Sequence, residues 1–210
     1  MPCPTKRLTF NGLSFNVYED VYEPAEDSFL FAENLYITPG MRVLDLGTGC
    51  GFLAVLSAKK SDDVTAIDLN PYAILCAKEN AHINHIADKI AFLQSDLFCA
   101  LQNNVRFDLI LFNAPYLPSE QGEESTWIGR SWAGGTDGRK VVDRFITQVS
   151  VYLNPAGKVL LMQSTLTDVE KTLHRFNQQG FNAYVTAERS LPFFETLTLI
   201  EAIPLSICNR

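Results

Sequence analysis

Residues 42–70 read RVLDLGTGCGFLAVLSAKKSDDVTAIDLN, and the order of patterns inside them decides the fold. RVLDLG is a short, mostly apolar run that suits a strand buried on both faces. Residues 52–60 repeat apolar positions at helical spacing, and VTAIDL returns to the strand pattern. A strand, a helix and a second strand in this order form a parallel pair, because the helix carries the chain back to the starting edge. Asn70 and Pro71 open the next helix as N-cap and first helical residue.

The alternation continues outward. KIAFLQS (89–95) and FDLILFN (107–113) read as strands, 138–153 as a helix, GKVLLMQS (157–164) as a strand and 167–179 as a helix. FNAYVTAERS (181–190) and ETLTLIEAI (195–203) follow one another across a short turn with no helix, which forces an antiparallel pair. These seven strands predict an α/β fold: a doubly wound, mostly parallel, Rossmann-like sheet with an antiparallel C-terminal hairpin. Toward the N-terminus, LTFNGLSFNVY (8–18) centres Asn11-Gly12 between two alternating runs, the signature of a short β-hairpin. A helix beginning near Ala25, with carboxylates in its first turn, ends before Pro39-Gly40. A single domain over 1–210 is expected, with 1–40 as a hairpin and helix covering a ligand site and 41–210 as the core.

Composition narrows the function. A formal charge of -7 argues against holding duplex nucleic acid by neutralising many phosphates. Apolar residues at 47% with 20% charged describe an ordinary globular chain. The five cysteines, Cys3, Cys50, Cys76, Cys99 and Cys208, form no C-x-x-C pair, so no disulfide framework or zinc site is expected. His82 and His85 lack a third ligand at metal spacing. No apolar run approaches the roughly 18 residues of a membrane span, and MPCPTKRLTF lacks an export signal's apolar core. A cytoplasmic protein is expected.

DLGTGCGF places Gly47, Gly49 and Gly51 in the turn after the first sheet strand, where bare backbone lets a ligand approach. The spacing G-x-G-x-G departs from the dinucleotide fingerprint G-x-G-x-x-G. Asp45, Asp68 and Asp96 close three successive strands. Asp68, beside Leu69, suits the hydroxyls of a ribose; Asp96 suits an adenine amino group, with Leu97 over the ring. Acids in place of lysines and arginines favour an adenosine ligand without phosphates. S-adenosylmethionine fits, and its sulfonium cation favours nearby carboxylates.

The stretch DLILFNAPYLP (108–118) stops a buried strand on an amide. Asn113 can accept one N–H of a planar nitrogen and the Ala114 carbonyl another, aiming the group at a methyl donor. Pro115 keeps Ala114 out of the helical region and so orients that carbonyl. Tyr116 offers a flat face for stacking. NAPY is similar to the N-P-P-Y motif of class I methyltransferases acting on planar nitrogens. Together with VYEPAEDSFLFAENL (21–35), DLGTGCGF (45–52) and WAGGTDGRKVVDRF (132–145), it resembles the HemK-type protein-glutamine N5-methyltransferases. The nearest branch is the archaeal and eukaryotic one that modifies the Gly-Gly-Gln loop of class I translation release factors. The resemblance runs from about Tyr18 through the C-terminal hairpin, with Ala114 where the family usually has proline.

The resemblance implies that Ser28, Asp45, Gly47, Asp68, Asp96, Leu97 and Asn113 contact S-adenosylmethionine, with Gly49, Gly51 and Leu69 in the same loops, and that no metal takes part. Asn113, Ala114 and Tyr116 would hold the glutamine. It also implies a small zinc-binding activator that adds a strand along the third sheet strand, KIAFLQ (89–94). An adenine N6-methyltransferase, a lysine methyltransferase and an idle scaffold are the alternatives. Trp127 and Trp132 lie in a long segment, 117–137, as part of a lid or as pins to the core.

Overall fold

The structure is a computed structural model that describes residues 4–205. It opens with an antiparallel hairpin, β1 (Pro4–Phe10) and β2 (Leu13–Tyr18), followed by α1 (Glu26–Glu33). The main run is β3 (Arg42–Leu46), α2 (Phe52–Ala58), β4 (Asp63–Asp68), α3 (Pro71–Ile83), β5 (Ile90–Gln94) and β6 (Phe107–Asn113). After α4 (Trp127–Arg130) and α5 (Lys140–Gln148) come β7 (Leu153–Ser164), α6 (Val169–Gln178), β8 (Phe181–Ser190) and β9 (Thr196–Pro204). The seven-stranded sheet has the order β5-β4-β3-β6-β7-β9-β8. β3 to β7 are parallel, and β9 runs antiparallel to both neighbours. The doubly wound sheet with its antiparallel hairpin is as the sequence predicts.

Strand alternation builds two cores. Val43, Leu109 and Leu111 pack with α1, α2, α3 and the hairpin; Leu44, Leu46, Ile110 and Phe112 pack with α5 and α6. Because side chains alternate along a strand, Asp45 and Asn113 belong to the face that carries α1. Aromatic contacts fasten the N-terminal hairpin to that face: Phe10 stands 5.7 Å from Phe29 and 5.1 Å from Phe52 between ring centroids, and Phe15 is 5.1 Å from Phe52. Asn80, fully buried on α3, accepts from the Asn16 N–H and donates to the carbonyls of Asn16 and Cys50, each at 2.8 Å.

Several boundaries differ from those predicted. Helix α5 spans nine residues rather than 138–153. Gly138 adopts a φ of +71° that opens no helix, and residues Val149–Tyr152 tighten into a 3-10 turn before β7 begins at Leu153, four residues early. Helix α6 starts at Val169, where the Asp168 side chain accepts from the Lys171 N–H. Segment 117–137 is folded: Leu117 and Ala133 form a parallel bridge, and Thr126 caps the single turn of α4. Periodicity blurs at such ends because capping and tertiary hydrogen bonds fix them.

Candidate active site

The carboxyl ends of β3, β4, β5 and β6 open onto a cavity of about 740 Å³, the place where open α/β sheets bind ligands. Its wall includes Ser28, Asp45, Gly47, Gly49, Asp68, Leu69, Asp96, Leu97 and the whole stretch Asn113, Ala114, Pro115 and Tyr116. Gly51 departs from the expectation: it is not among the lining residues. Its φ of +82° caps α2, and an added Cβ would sit 2.9 Å from Ala77 Cβ, so this glycine serves close packing of α2 on α3. Of the first forty residues, Val21, Tyr22, Pro24, Asp27 and Ser28 line the cavity, while the β1–β2 hairpin packs behind it against α2 and α3.

The acids are held differently. Asp45 is buried, and its Oδ2 accepts from the Thr48 hydroxyl at 2.6 Å and the Ala54 N–H at 2.9 Å. Burial pushes its carboxyl up to about 7, against the pull of those two donors. Asp68 accepts the Gly49 N–H on one oxygen and the Asn70 N–H on the other, each at 2.8 Å, and burial raises its pKa as well. Each oxygen keeps a lone pair for a further donor. Asp96 carries an exposed ion pair with Arg144, Nη2 to Oδ2 at 2.8 Å. Such a pair contributes little and opens readily.

One residue that the sequence reading passed over organises the amide end. Asp27, buried on α1, accepts from the Ser28 N–H at 2.6 Å, from Asn113 Nδ2 at 3.0 Å and from the Tyr22 hydroxyl at 3.2 Å; the Tyr116 hydroxyl stands 3.5 Å away. Asn113 Nδ2 also reaches Ser28 Oγ at 3.4 Å. A carboxylate can only accept, so the Asn113 amide must turn its NH2 toward Asp27. Its carbonyl Oδ1 is left buried with no partner among the described residues. Burial, reinforced by Asp27, raises the pKa of both Tyr22 and Tyr116, which keeps them protonated at neutral pH. The clue to Asp27 was its place one residue before Ser28 in YEPAED.

The WAGG segment backs the same strand end. Leu117 donates to the Trp132 carbonyl at 3.0 Å, and Gly134 donates to the Leu117 carbonyl at 2.8 Å. A Cβ on Gly138 would overlap the Tyr116 carbonyl and the Thr167 methyl. Arg139 is buried and binds the Thr167 carbonyl at 2.7 Å, Thr172 Oγ1 at 2.9 Å and Asp143 at 2.8 Å. Trp127 and Trp132 both line the cavity, with Arg130 4.9 Å over the Trp127 ring. Buried Cys50 and Cys76 have thiols pushed up by burial, Cys76 to about 12, which makes them poor nucleophiles. Cys3 and Cys208 lie outside the described residues. His82 and His85 are exposed, and no cluster of three or more metal-ligating side chains occurs among the described residues. No helix among them is long and apolar enough to cross a membrane.

Sheet order, glycine turn and acid-tipped strands define a class I methyltransferase. The methyltransferase small domain family matches residues 23–129. A Methanocaldococcus jannaschii chain provisionally named as a protein N5-glutamine methyltransferase is 38% identical over 196 residues, covering 91% of this chain and 96% of that one. The Homo sapiens methyltransferase HEMK2 is 32% identical over 197 residues, 88% of this chain and 90% of that one. Among solved structures, the E. cuniculi Mtq2-Trm112 complex, described as responsible for methylation of the eRF1 translation termination factor, has a chain that superposes with a TM-score of 0.68 at 25% identity, over 88% of this chain and 99% of that one. The chain belongs to the methyltransferase small domain family and, within it, to the HemK-type methyltransferases.

Proposed function

We infer that this enzyme transfers a methyl group from S-adenosylmethionine to the side-chain amide of a protein glutamine, in the Gly-Gly-Gln loop of a class I translation release factor. The observation that carries the reading is Asn113: its NH2 is engaged by Asp27 and Ser28, and its carbonyl lacks a donor. A primary amide brought to this strand end supplies that donor. The names of the relatives, a protein N5-glutamine methyltransferase and a complex acting on eRF1, support the same substrate.

The residues present fit the methyl donor. Asp68 has lone pairs for ribose hydroxyls, Gly47 and Gly49 leave backbone open at the wall, Leu97 offers an apolar face, and Asp45 lies buried on the sheet face shared with Asn113. When bound, the cofactor supplies an electrophilic methyl group on a sulfonium. An amide nitrogen is a weak nucleophile because its lone pair is delocalised, so the protein's work is to aim it. Asn113 Oδ1 would accept one N–H and the Ala114 carbonyl the other, draining positive charge from the nitrogen as the N–C bond forms and the donor's S–CH3 bond breaks, its electron pair returning to sulfur to leave a neutral thioether. The proton in excess leaves to solvent. Tyr116, protonated and held beside Asp27, packs its ring against the planar group.

The solved relative is a complex with Trm112, and the matching partner for this chain is a small zinc-binding activator at β5. That strand lies at the end of the sheet, with no strand on its outer side among the described residues. Mass spectrometry of a purified class I release factor, incubated with this protein, the activator homologue and S-adenosylmethionine, tests the reading. The expected result is one added methylene mass on the Gly-Gly-Gln peptide. An unmodified peptide under conditions where the methyl donor binds would overturn it.

A further inference from the structure

The turn between β8 and β9 carries two adjacent phenylalanines in open solvent, Phe193 at 96% and Phe194 at 102% exposure. Both hold a left-handed backbone, φ of +62° and +65°, a conformation ordinarily left to Gly or Asn. A lone exposed apolar side chain needs no explanation. Two neighbours held outward on a strained turn do, and strain of this kind concentrates at functional positions.

The base of the turn is fixed. Leu191 donates to the Glu195 carbonyl at 2.8 Å, and Thr196 donates to Thr165 Oγ1 at 3.0 Å. Arg189 joins the end of β8 to α1 through Glu26 at 2.8 Å and Glu33 at 2.6 Å. Helix α1 is the element that presents Asp27 and Ser28 to the cavity. Glu195, next to Phe194, acts electrostatically on the Tyr22 and Tyr116 hydroxyls, both in the cavity wall.

Sheet topology gives the separation. β9 begins, and β8 ends, at the carboxyl edge where β6 delivers Asn113, since Ser164 of β7 pairs with Leu197 and Asn113 pairs with Met162. Two to three strand spacings of about 4.8 Å put the tip about 10–15 Å along the edge from Asn113. That is beyond the reach of a cofactor in the cavity and within the footprint of a protein whose side chain enters it. Glu195 and the net charge of -7 disfavour a polyanion at this spot.

The geometry points to Phe193 and Phe194 as a docking tip for the body of the protein substrate. They insert into an apolar recess on that protein while its target loop occupies the cavity, a role that rests on the protein-substrate reading above. Buried aromatic anchors of this kind dominate binding energy at protein interfaces.

The test replaces both residues by asparagine, which tolerates the left-handed backbone and so leaves the turn intact. Initial rates of Phe193→Asn/Phe194→Asn are compared with wild type on two substrates, an intact class I release factor and a short peptide spanning its Gly-Gly-Gln loop. The expected result is a KM for the intact protein raised tenfold or more, kcat within twofold, and kcat/KM for the peptide unchanged. Unchanged kcat/KM for the intact protein overturns the docking role alone. Equal losses on both substrates also overturn it, since the tip would then act on the cavity. Wild type that methylates neither substrate overturns the substrate reading, and the docking role falls with it. Sedimentation of both proteins adds one more outcome: a wild-type dimer that becomes monomeric in the double variant at unchanged activity makes the tip a contact between two copies and overturns the proposal.

Discussion

Asn113 shows how a single side chain acquires direction from its neighbours. An isolated asparagine presents either end of its amide, and here Asp27 and Ser28 take the NH2 and leave Oδ1 for a donor. Asn113→Ala should therefore lower turnover by about two orders of magnitude or more, the scale of losing one positioning hydrogen bond at a reacting centre, while affinity for S-adenosylmethionine falls far less. Single-turnover rates and calorimetric titration of the cofactor separate the two, and near-normal turnover would reduce Asn113 to a strand end. Asp45 is a second case. Its folded-state carboxyl stands at about 7 against an ordinary 3.8 because burial disfavours the charge. The folded protein thus keeps a proton that the unfolded chain releases between those limits, so this residue's contribution to stability is full below pH 4 and is lost as pH rises through about 7. Between pH 5 and pH 8 the wild type should lose about 2–3 kcal/mol relative to Asp45→Asn, as read by urea unfolding at the two pH values. Parallel pH profiles would show that Asp45 does not carry the effect.

At the scale of elements, β5 combines an open edge with an apolar sequence. Ile90 is buried, while Phe92 and Leu93 are half-buried, Phe92 against the core under α2 and α3 and Leu93 against the opposite one. Unpaired backbone beside apolar side chains invites strand addition. Phe92→Lys should leave the protein folded and abolish binding of an activator homologue, and it should reduce self-association of the free chain. Analytical ultracentrifugation with and without the activator checks all three; a variant that binds the activator as wild type does would remove β5 from the interface. The loop after β6 shows the opposite economy. Its residues 117–137 gain a bridge, a capped turn and buried glycines, and they brace the chain just after the Asn113–Tyr116 strand end while Trp127 and Trp132 stand in the cavity wall.

Across the whole molecule, Asn80 joins parts far apart in sequence. Three of its hydrogen bonds link α3 to β2 and to Cys50 in the glycine turn. Asn80→Ala strands buried groups on both and should cost about 2–4 kcal/mol, a fall in Tm on the order of 5–10 °C. Calorimetric melting measures it, and an unchanged Tm would mean that the hairpin is held by its aromatic contacts alone. The sequence by itself determined the alternation of strand and helix, the antiparallel ending, the three acids at strand ends and the arrest of β6 on Asn113, because each is written in local periodicity, turn chemistry or a short motif. It also carried the motifs that mark the HemK-type family. Only the tertiary structure decided that Gly51 packs against Ala77 rather than lining the cavity, that Asp27 orients the Asn113 amide, and that Phe193 and Phe194 stand on the same edge as the site. Those facts depend on which residues meet across 26, 86 and about 80 positions of chain, and contact at such range follows from sheet order and packing, which no local pattern specifies.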